Sequence, residues 1–485
     1  MPRSDWIAAP VRPAARRADG PAGASGPPWS GAGERELPVA EAERLVLGDI
    51  AGLGWRARHR VLDPAQPTAV QCELRYADGT EVPYGLGSGK GPLEPARTGA
   101  RFEALEHALS GPVALDGLAV RCRPAAELAE GPFRADRALG GLAEQPEARL
   151  ACLDYEPLDG GAPFAAPLCL WAPWYPVPTG GMARRRAALG DTAQYRPLVA
   201  YTVNTGCAIG ATRDEALLHA LNEWAERDAF SLFLLCSVYD RGPMPGRIDP
   251  ATLPAPLADL LGRARDLVGS EVALLDLTTD LGVPVVMAYA PEPAGASARY
   301  YAMGASLSGR IACERALTEF VQGELLARVV DEHTAREGDS PGSRAAGDGA
   351  GDGEYPTFDE VVAEHDTAAA VSRRLSGHPR LLACAQLDFA ERITECPPVA
   401  TPDETVPAGT GVAAQRAEAV ARMAAAGHRV GYHVLRRLEL GTTLVQVQCP
   451  GLERFHQVTN GHVALPGARG RAHRRRARTP RSAAD

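Results

Sequence analysis

Glu215-Ala-Leu-Leu-His-Ala-Leu-Asn-Glu-Trp-Ala-Glu226 is the stretch on which the fold turns. At about 100° per residue, Glu215, His219, Asn222, Glu223 and Glu226 fall within roughly a quarter-turn of one another. Ala216, Leu217, Leu218, Ala220, Leu221, Trp224 and Ala225 cover most of the remaining cylinder, and Ala229 and Leu232 extend it. A surface helix shows the reverse, a polar face with one apolar stripe. The pattern predicts a buried helix over about 213 to 236, its narrow polar stripe facing an internal cavity. A surface helix with solvated glutamates would expose Leu217, Leu221 and Trp224.

The phrase of alanine followed three residues later by glutamate occurs three times. It reads Ala100-Arg-Phe-Glu103-Ala-Leu-Glu106, Ala220-Leu-Asn-Glu223-Trp-Ala-Glu226, and Ala316-Leu-Thr-Glu319-Phe-Val-Gln322. Residues three apart share a helix face, so each phrase aims two acidic or amide groups at one place. Gathered carboxylates repel unless a cation joins them. Oxygen ligands suit Mg²⁺, which is commonly held by a few carboxylates plus substrate phosphates.

Two glycine-containing segments precede the first two helices. Gly87-Ser-Gly-Lys-Gly91 resembles a phosphate loop but fails the Walker pattern, with Gly91 where Ser or Thr would hold a metal. Small residues would let backbone N–H groups approach phosphate while Lys90 adds charge; the alternative is a tight turn ending a strand. In Asn204-Thr-Gly-Cys-Ala-Ile-Gly-Ala-Thr212, Gly206 and Gly210 permit close approach. Thr212 and Glu215 form a capping-box pattern, so ordinary capping and ligand binding both stay open for Glu215. Arg227 could counter phosphate charge or pair with an adjacent glutamate.

The 485-residue chain is 45% hydrophobic, enough for a large core in more than one lobe. A net charge of −9 and a pI near 5.8 argue against a dedicated nucleic-acid binder. Ten scattered cysteines form no CxxC pair, so neither a zinc site nor a disulfide framework is indicated and a reducing cytoplasm fits. No run approaches the roughly 20 apolar residues of a membrane span, and the N-terminus lacks a signal-peptide core.

Along the chain, residues 1–42 read as a disordered Pro/Gly/Ala/Arg-rich segment. Strands and turns follow over 43–84, then the first ExxE helix over 95–110. Residues 150–205 look strand-rich, including Leu168–Trp171 and Leu198–Val203. Strands are expected at 271–277 and 283–289, the third helix at 309–330 and a mobile insertion at about 333–355. A helix at 411–427 and strands at 428–435 and 443–448 precede a basic tail, 471–485, read as disordered and solvated. Strands and helices alternate throughout, so the fold class is mixed α/β (α+β), with repeated strand–ExxE-helix units around an internal cavity.

The Ser88-Gly-Lys90 segment, Gly99 to His107, Asn204 to Phe230, Leu275 to Pro284, Glu314 to Glu319 and Cys449 to Phe455 together resemble the YcaO family. The resemblance covers roughly residues 80–470 in the family's order. It implies ATP and Mg²⁺ as cofactors and ATP-dependent activation of a peptide-backbone amide oxygen, leading to an azoline, thioamide or amidine in a ribosomally synthesised peptide. Carried over, Glu103, Glu106, Glu223 and Glu226 would hold Mg²⁺ and Glu215 would belong to the same site. Ser88, Lys90 and Arg227 would contact phosphates, with Arg315 and Glu319 on the third helix as further cofactor-binding candidates. No catalytic residue is assigned. The implied partners are a precursor peptide and an E1-like (ThiF-like) or TfuA-like protein, with a homodimer left open.

The sequence departs from the family pattern at Ala211 (usually Asn), at His107 (commonly Arg) and at Gly323-Glu324 (frequently Arg). It also lacks the proline-rich tail of many azoline-forming members. These departures keep a second reading alive, a non-catalytic scaffold that binds a precursor peptide or partner enzyme. A third, a metal-dependent hydrolase without nucleotide, is disfavoured by the Ser88–Lys90 segment.

Overall fold

A computed structural model describes residues 32–291, 301–337 and 368–478. After a 3₁₀ turn at Ala32–Glu34, a helix spans the end of the segment expected to be disordered and the start of the one expected to hold strands and turns. In α1 (Val39–Gly52), Val46, Asp49 and Ile50 share the buried face, the i, i+3, i+4 spacing of an amphipathic helix. β1 (Trp55–Val61), β2 (Thr68–Tyr76) and β3 (Glu81–Gly91) then form an antiparallel sheet in that order. The segment read as a phosphate loop is the end of β3.

The reason lies in α2 (Leu93–Ser110), which packs on one face of this sheet. A Cβ on Gly87 would sit 2.1 Å from the Ala104 nitrogen, and one on Gly89 would sit 1.8 Å from the Ala96 oxygen. The glycines therefore serve contact between strand and helix backbones. By alternation, Ser88 and Lys90 lie on the opposite face. The same device recurs where α5 (Arg213–Phe233) follows β7 (Cys207–Gly210) and where α7 (Gly309–Glu337) follows β11 (Tyr301–Ala305). A Cβ on Gly210 would meet the Ala216 nitrogen at 2.7 Å, and one on Gly304 the Ala316 nitrogen at 2.6 Å. In each case a small helix residue meets a strand glycine.

Two further sheets complete the architecture. One has the order β11-β10-β9-β8-β12, with β8 (Gly246–Ile248), β9 (Ala273–Asp276), β10 (Val285–Tyr289) and β12 (Pro398–Val399). The other follows β4-β5-β13-β14-β7, with β6 (Phe164–Pro167) beside β5. Its other members are β4 (Arg121–Pro124), β5 (Arg149–Pro157), β13 (Gly431–Arg437) and β14 (Thr443–Gln448). Helix α5 contacts β7, β14 and β11. Its Leu217 and Leu221 are fully buried and Trp224 is 1% exposed, which decides for the buried helix.

Helices α3 (Ala125–Glu130), α4 (Gly180–Leu189) and α6 (Ala255–Val268) fill the connections. Expectation and structure part company at Leu168–Trp171 and Leu198–Val203. Their centres are 3₁₀ turns, Leu168–Leu170 and Val199–Tyr201, because a short buried apolar run has no period that separates strand from helix. Of the insertion expected over 333–355, residues 333–337 continue α7 and the rest lie outside the described residues. The short helices α8 (Ala368–Leu375) and α9 (Pro379–Ala385) precede α10 (Val412–Ala425), the expected 411–427 helix.

Both chain ends differ from the sequence reading. Residues 1–31 and 479–485 lie outside the described residues, but 32–38 pack on the core and 468–478 form α11. Arg469 donates to the wholly buried Asp228 at 2.8 Å and to Asp280 at 2.5 Å, and Arg474 reaches Asp240 at 2.7 Å. Two arginines of α11 thus pair with the buried Asp228 and the half-buried Asp240. Among the described residues no helix is long and apolar enough to cross a membrane.

Candidate functional site

Helices α2, α5 and α7 and the open face of β3 surround a cavity of about 750 Å³. Every site residue expected from the sequence lines it: Ser88, Lys90, Glu103, Glu106, Glu215, Glu223, Glu226, Arg227, Arg315 and Glu319. Backbone contacts hold the carboxylates in place. Glu106 accepts from the Ile209 N–H at 2.9 Å and Glu223 from the Gly206 N–H at 3.1 Å. The loop before α5 thus orients glutamates from two helices. Gln322 of the third phrase donates to the Ser88 carbonyl at 2.8 Å, tying α7 to β3.

The cations rest on carboxylates. Lys90 pairs with Glu319, while Arg227 lies 3.7 Å from Glu223 and 3.8 Å from Glu226. Burial opposes the Arg227 charge, but Glu226 and Glu223 hold it above its ordinary value. Glu215 divides its role. Its N–H completes the Thr212 cap at 3.2 Å, while its carboxylate accepts from Ala211 at 3.0 Å and Glu36 at 2.5 Å. The pattern is a capping box shifted by one residue, with the carboxylate still facing the cavity.

Burial raises the carboxyl pKa values of Glu103 and Glu223. Glu106 is pushed well above the carboxylate range by burial and then by the charges of Glu103 and Glu223. Burial is also the main cause that lifts Glu226 to about 7. Each group resists ionising beside the others, and a divalent cation would relieve that repulsion. Among the described residues no three His, Cys, Asp or Glu side chains converge closely enough to hold an ion alone. The oxygen donors fit Mg²⁺ that takes its remaining ligands from phosphates and water. His219, held neutral by burial and by Arg315, Arg35 and Lys90, adds no competing charge.

One part of the site lay in a segment read as disordered. Glu34, 3% exposed, receives Arg315 at 2.6 Å, Asn222 at 3.2 Å and the Ser306 hydroxyl. Arg35 and Leu37 line the same cavity. The missed signal was the amphipathic spacing of α1, which carries the preceding residues onto the core.

Carboxylates on facing helices, opposed by lysine and arginine, are the constituents of a site for a metal-bound phosphate ligand. A model described as a YcaO cyclodehydratase that binds ATP and Mg²⁺ matches residues 88–453, and the chain belongs to the YcaO family. The fold is shared with YcaO from Methanopyrus kandleri, solved with AMPPCP and Mg²⁺, at a TM-score of 0.56 and 20% identity over 87% of this chain and 92% of that one. A heterocyclase in complex with substrate and cofactor aligns at 0.53 and 19% over 86% of this chain and 52% of that one. A chain of the E. coli microcin synthetase McbBCD complex aligns at 0.51 and 12%, covering 82% and 88%.

Among curated proteins, one from Rhizobium leguminosarum bv. trifolii, named for its place in the tfuA 3′ region, is 35% identical over 130 residues. One from Methanothermobacter thermautotrophicus is 37% identical over 134 residues. The matched stretches are 25% and 27% of this chain and span 30% and 33% of those proteins.

Proposed function

We propose that the cavity binds Mg²⁺-ATP and that the chain activates a backbone amide oxygen of a ribosomally synthesised peptide. The observation that carries this reading is the convergence of Glu103, Glu106, Glu223 and Glu226 with Lys90 and Arg227 in one cavity. When bound, ATP supplies the phosphoryl group that turns the amide oxygen into a leaving group. The four glutamates would hold the metal, with Glu215 beside them. Ser88, Lys90 and Arg227 would take the phosphates, and Arg315 and Glu319 would border the nucleotide. Lys90 and Arg227 would exchange a glutamate partner for phosphate oxygens, a trade between charge-assisted contacts of similar kind. Because an amide oxygen is a weak nucleophile, much of the rate would come from holding it in line.

Whether an azoline, thioamide or amidine forms depends on the nucleophile that meets the activated carbon. The tfuA neighbourhood in the Rhizobium relative's name supports a TfuA-like partner, and the McbBCD complex supports work within an assembly. The test is Mg²⁺-dependent ATP turnover by the full chain with its genomic neighbours. Glu223→Gln and Glu226→Gln should each lower it at least about hundredfold. ATP neither bound nor turned over by the unaltered chain would leave the scaffold reading, which Ala211 and the Glu34–Arg315 pair favour.

A further inference from the structure

We propose that the free edge of β1 is a docking strand for an extended acidic peptide. This rests on the reading of the chain as a peptide-modifying protein and adds where the peptide is gripped. β1 pairs with β2 alone among the described residues, and its last four residues are exposed. The Leu62 N–H donates to the Ala69 carbonyl. Antiparallel pairs alternate between bonded and non-bonded, so Arg56, Arg58 and Arg60 direct their backbone groups toward β2. Ala57, His59 and Val61 therefore direct N–H and C=O groups outward. A row of outward donors and acceptors is a template for one more strand.

The side chains state the partner's chemistry. In register, Arg60 lies opposite Gln71 and Gln71 opposite Ser88, so the arginines share the face of the sheet that carries Ser88 and Lys90. That face leads from the cavity to the edge. None of Arg56, Arg58 and Arg60 is in an ion pair among the described residues, and Arg56, Arg58 and Arg60 are exposed. On a chain of net charge −9, three unpaired arginines on one edge select for acidic residues at alternate positions of an added strand. A second copy of β1 would set arginines against arginines, which is unfavourable. Strands lie about 4.8 Å apart, so a peptide on the edge runs roughly 14 Å from β3, within a few residues' reach of the cavity.

The test uses the full-length chain without nucleotide and a fluorescein-labelled peptide of alternating glutamate and valine, matched to the seven residues of β1. Fluorescence polarisation should show binding that weakens with salt, with a lysine-for-glutamate peptide at least about tenfold weaker. Arg58→Glu should weaken the acidic peptide about tenfold or more. Ala57→Pro removes an outward N–H without touching the β1–β2 ladder, as edge strands tolerate. It should abolish binding while circular dichroism and Tm stay within the wild-type range. Equal binding to wild type and both variants overturns the proposal, as does equal binding of the lysine peptide. A dimer by sedimentation that dissociates on Ala57→Pro assigns the edge to a second copy and also overturns it. Peptide binding without ATP turnover would sink the proposed activity and leave the docking strand standing.

Discussion

Gly89→Ala separates two explanations of the Gly87–Gly91 segment. A phosphate loop needs glycine so that a ligand can approach its backbone, and β3 needs it so that α2 can. The added Cβ would stand 1.8 Å from the Ala96 oxygen and 2.5 Å from the Ala100 nitrogen, both helix backbone atoms. Ordinary contact is about 3.5 Å, so α2 must retreat by roughly 1.5 Å, because no rotamer change removes a backbone atom. Overpacking of this kind costs about 1–3 kcal/mol and sometimes more, which lowers Tm by about 1–3 °C in a chain of this length. The retreat also carries Glu103 and Glu106 away from Glu223, and a displacement of about 1 Å at a reacting site can cost about hundredfold in rate. Differential scanning fluorimetry and Mg²⁺-ATP titration of one sample measure both effects. Gly99→Ala is the control, since its Cβ would meet only the Gly89 Cα at 3.8 Å. It should leave Tm unchanged or raise it, alanine being the better helix former by up to about 1 kcal/mol. An unchanged Tm for Gly89→Ala, with ATP binding lost, would refute the packing argument and restore the phosphate loop.

The raised pKa of Glu226, about 7 and caused mainly by burial, makes stability without metal depend on pH. The folded state holds this proton more tightly than the unfolded one. The contribution is therefore full below the unfolded value and is lost as pH rises through about 7. Thermal melts should show Tm falling from about pH 5 to pH 8 without ligand, a slope that Mg²⁺-ATP and Glu226→Gln each reduce. Arg469→Ala leaves Asp228, 0% exposed, without its guanidinium, and should cost about 3–5 kcal/mol, read by chemical denaturation. Glu34→Ala removes an anion from Arg315; nucleotide binding by calorimetry should tighten several-fold while Tm falls.

The helix–cavity relation was legible because a narrow polar stripe on an apolar cylinder has few stable placements. Glu215, Glu223 and Glu226 line the cavity for that reason, and the other expected site residues, Ser88 and Lys90 on β3 among them, line it beside them. What stayed illegible depended on neighbours distant in sequence. Gly87 and Gly89 look alike whether a phosphate or a helix comes close, and only the position of α2 distinguishes them. Arg469 and Arg474 of α11 read as part of a solvated tail until the buried Asp228 and half-buried Asp240 are seen beside them.

By itself, then, the sequence determined which side chains share a face, since local helix and strand periods set that without reference to the rest of the chain. The tertiary structure alone decided what each face meets. It placed Glu34 on Arg315, Glu319 on Lys90 and the Gly206 N–H on Glu223. Such pairings join residues far apart in sequence, and a charge or a glycine carries no local mark of the partner that folding brings to it.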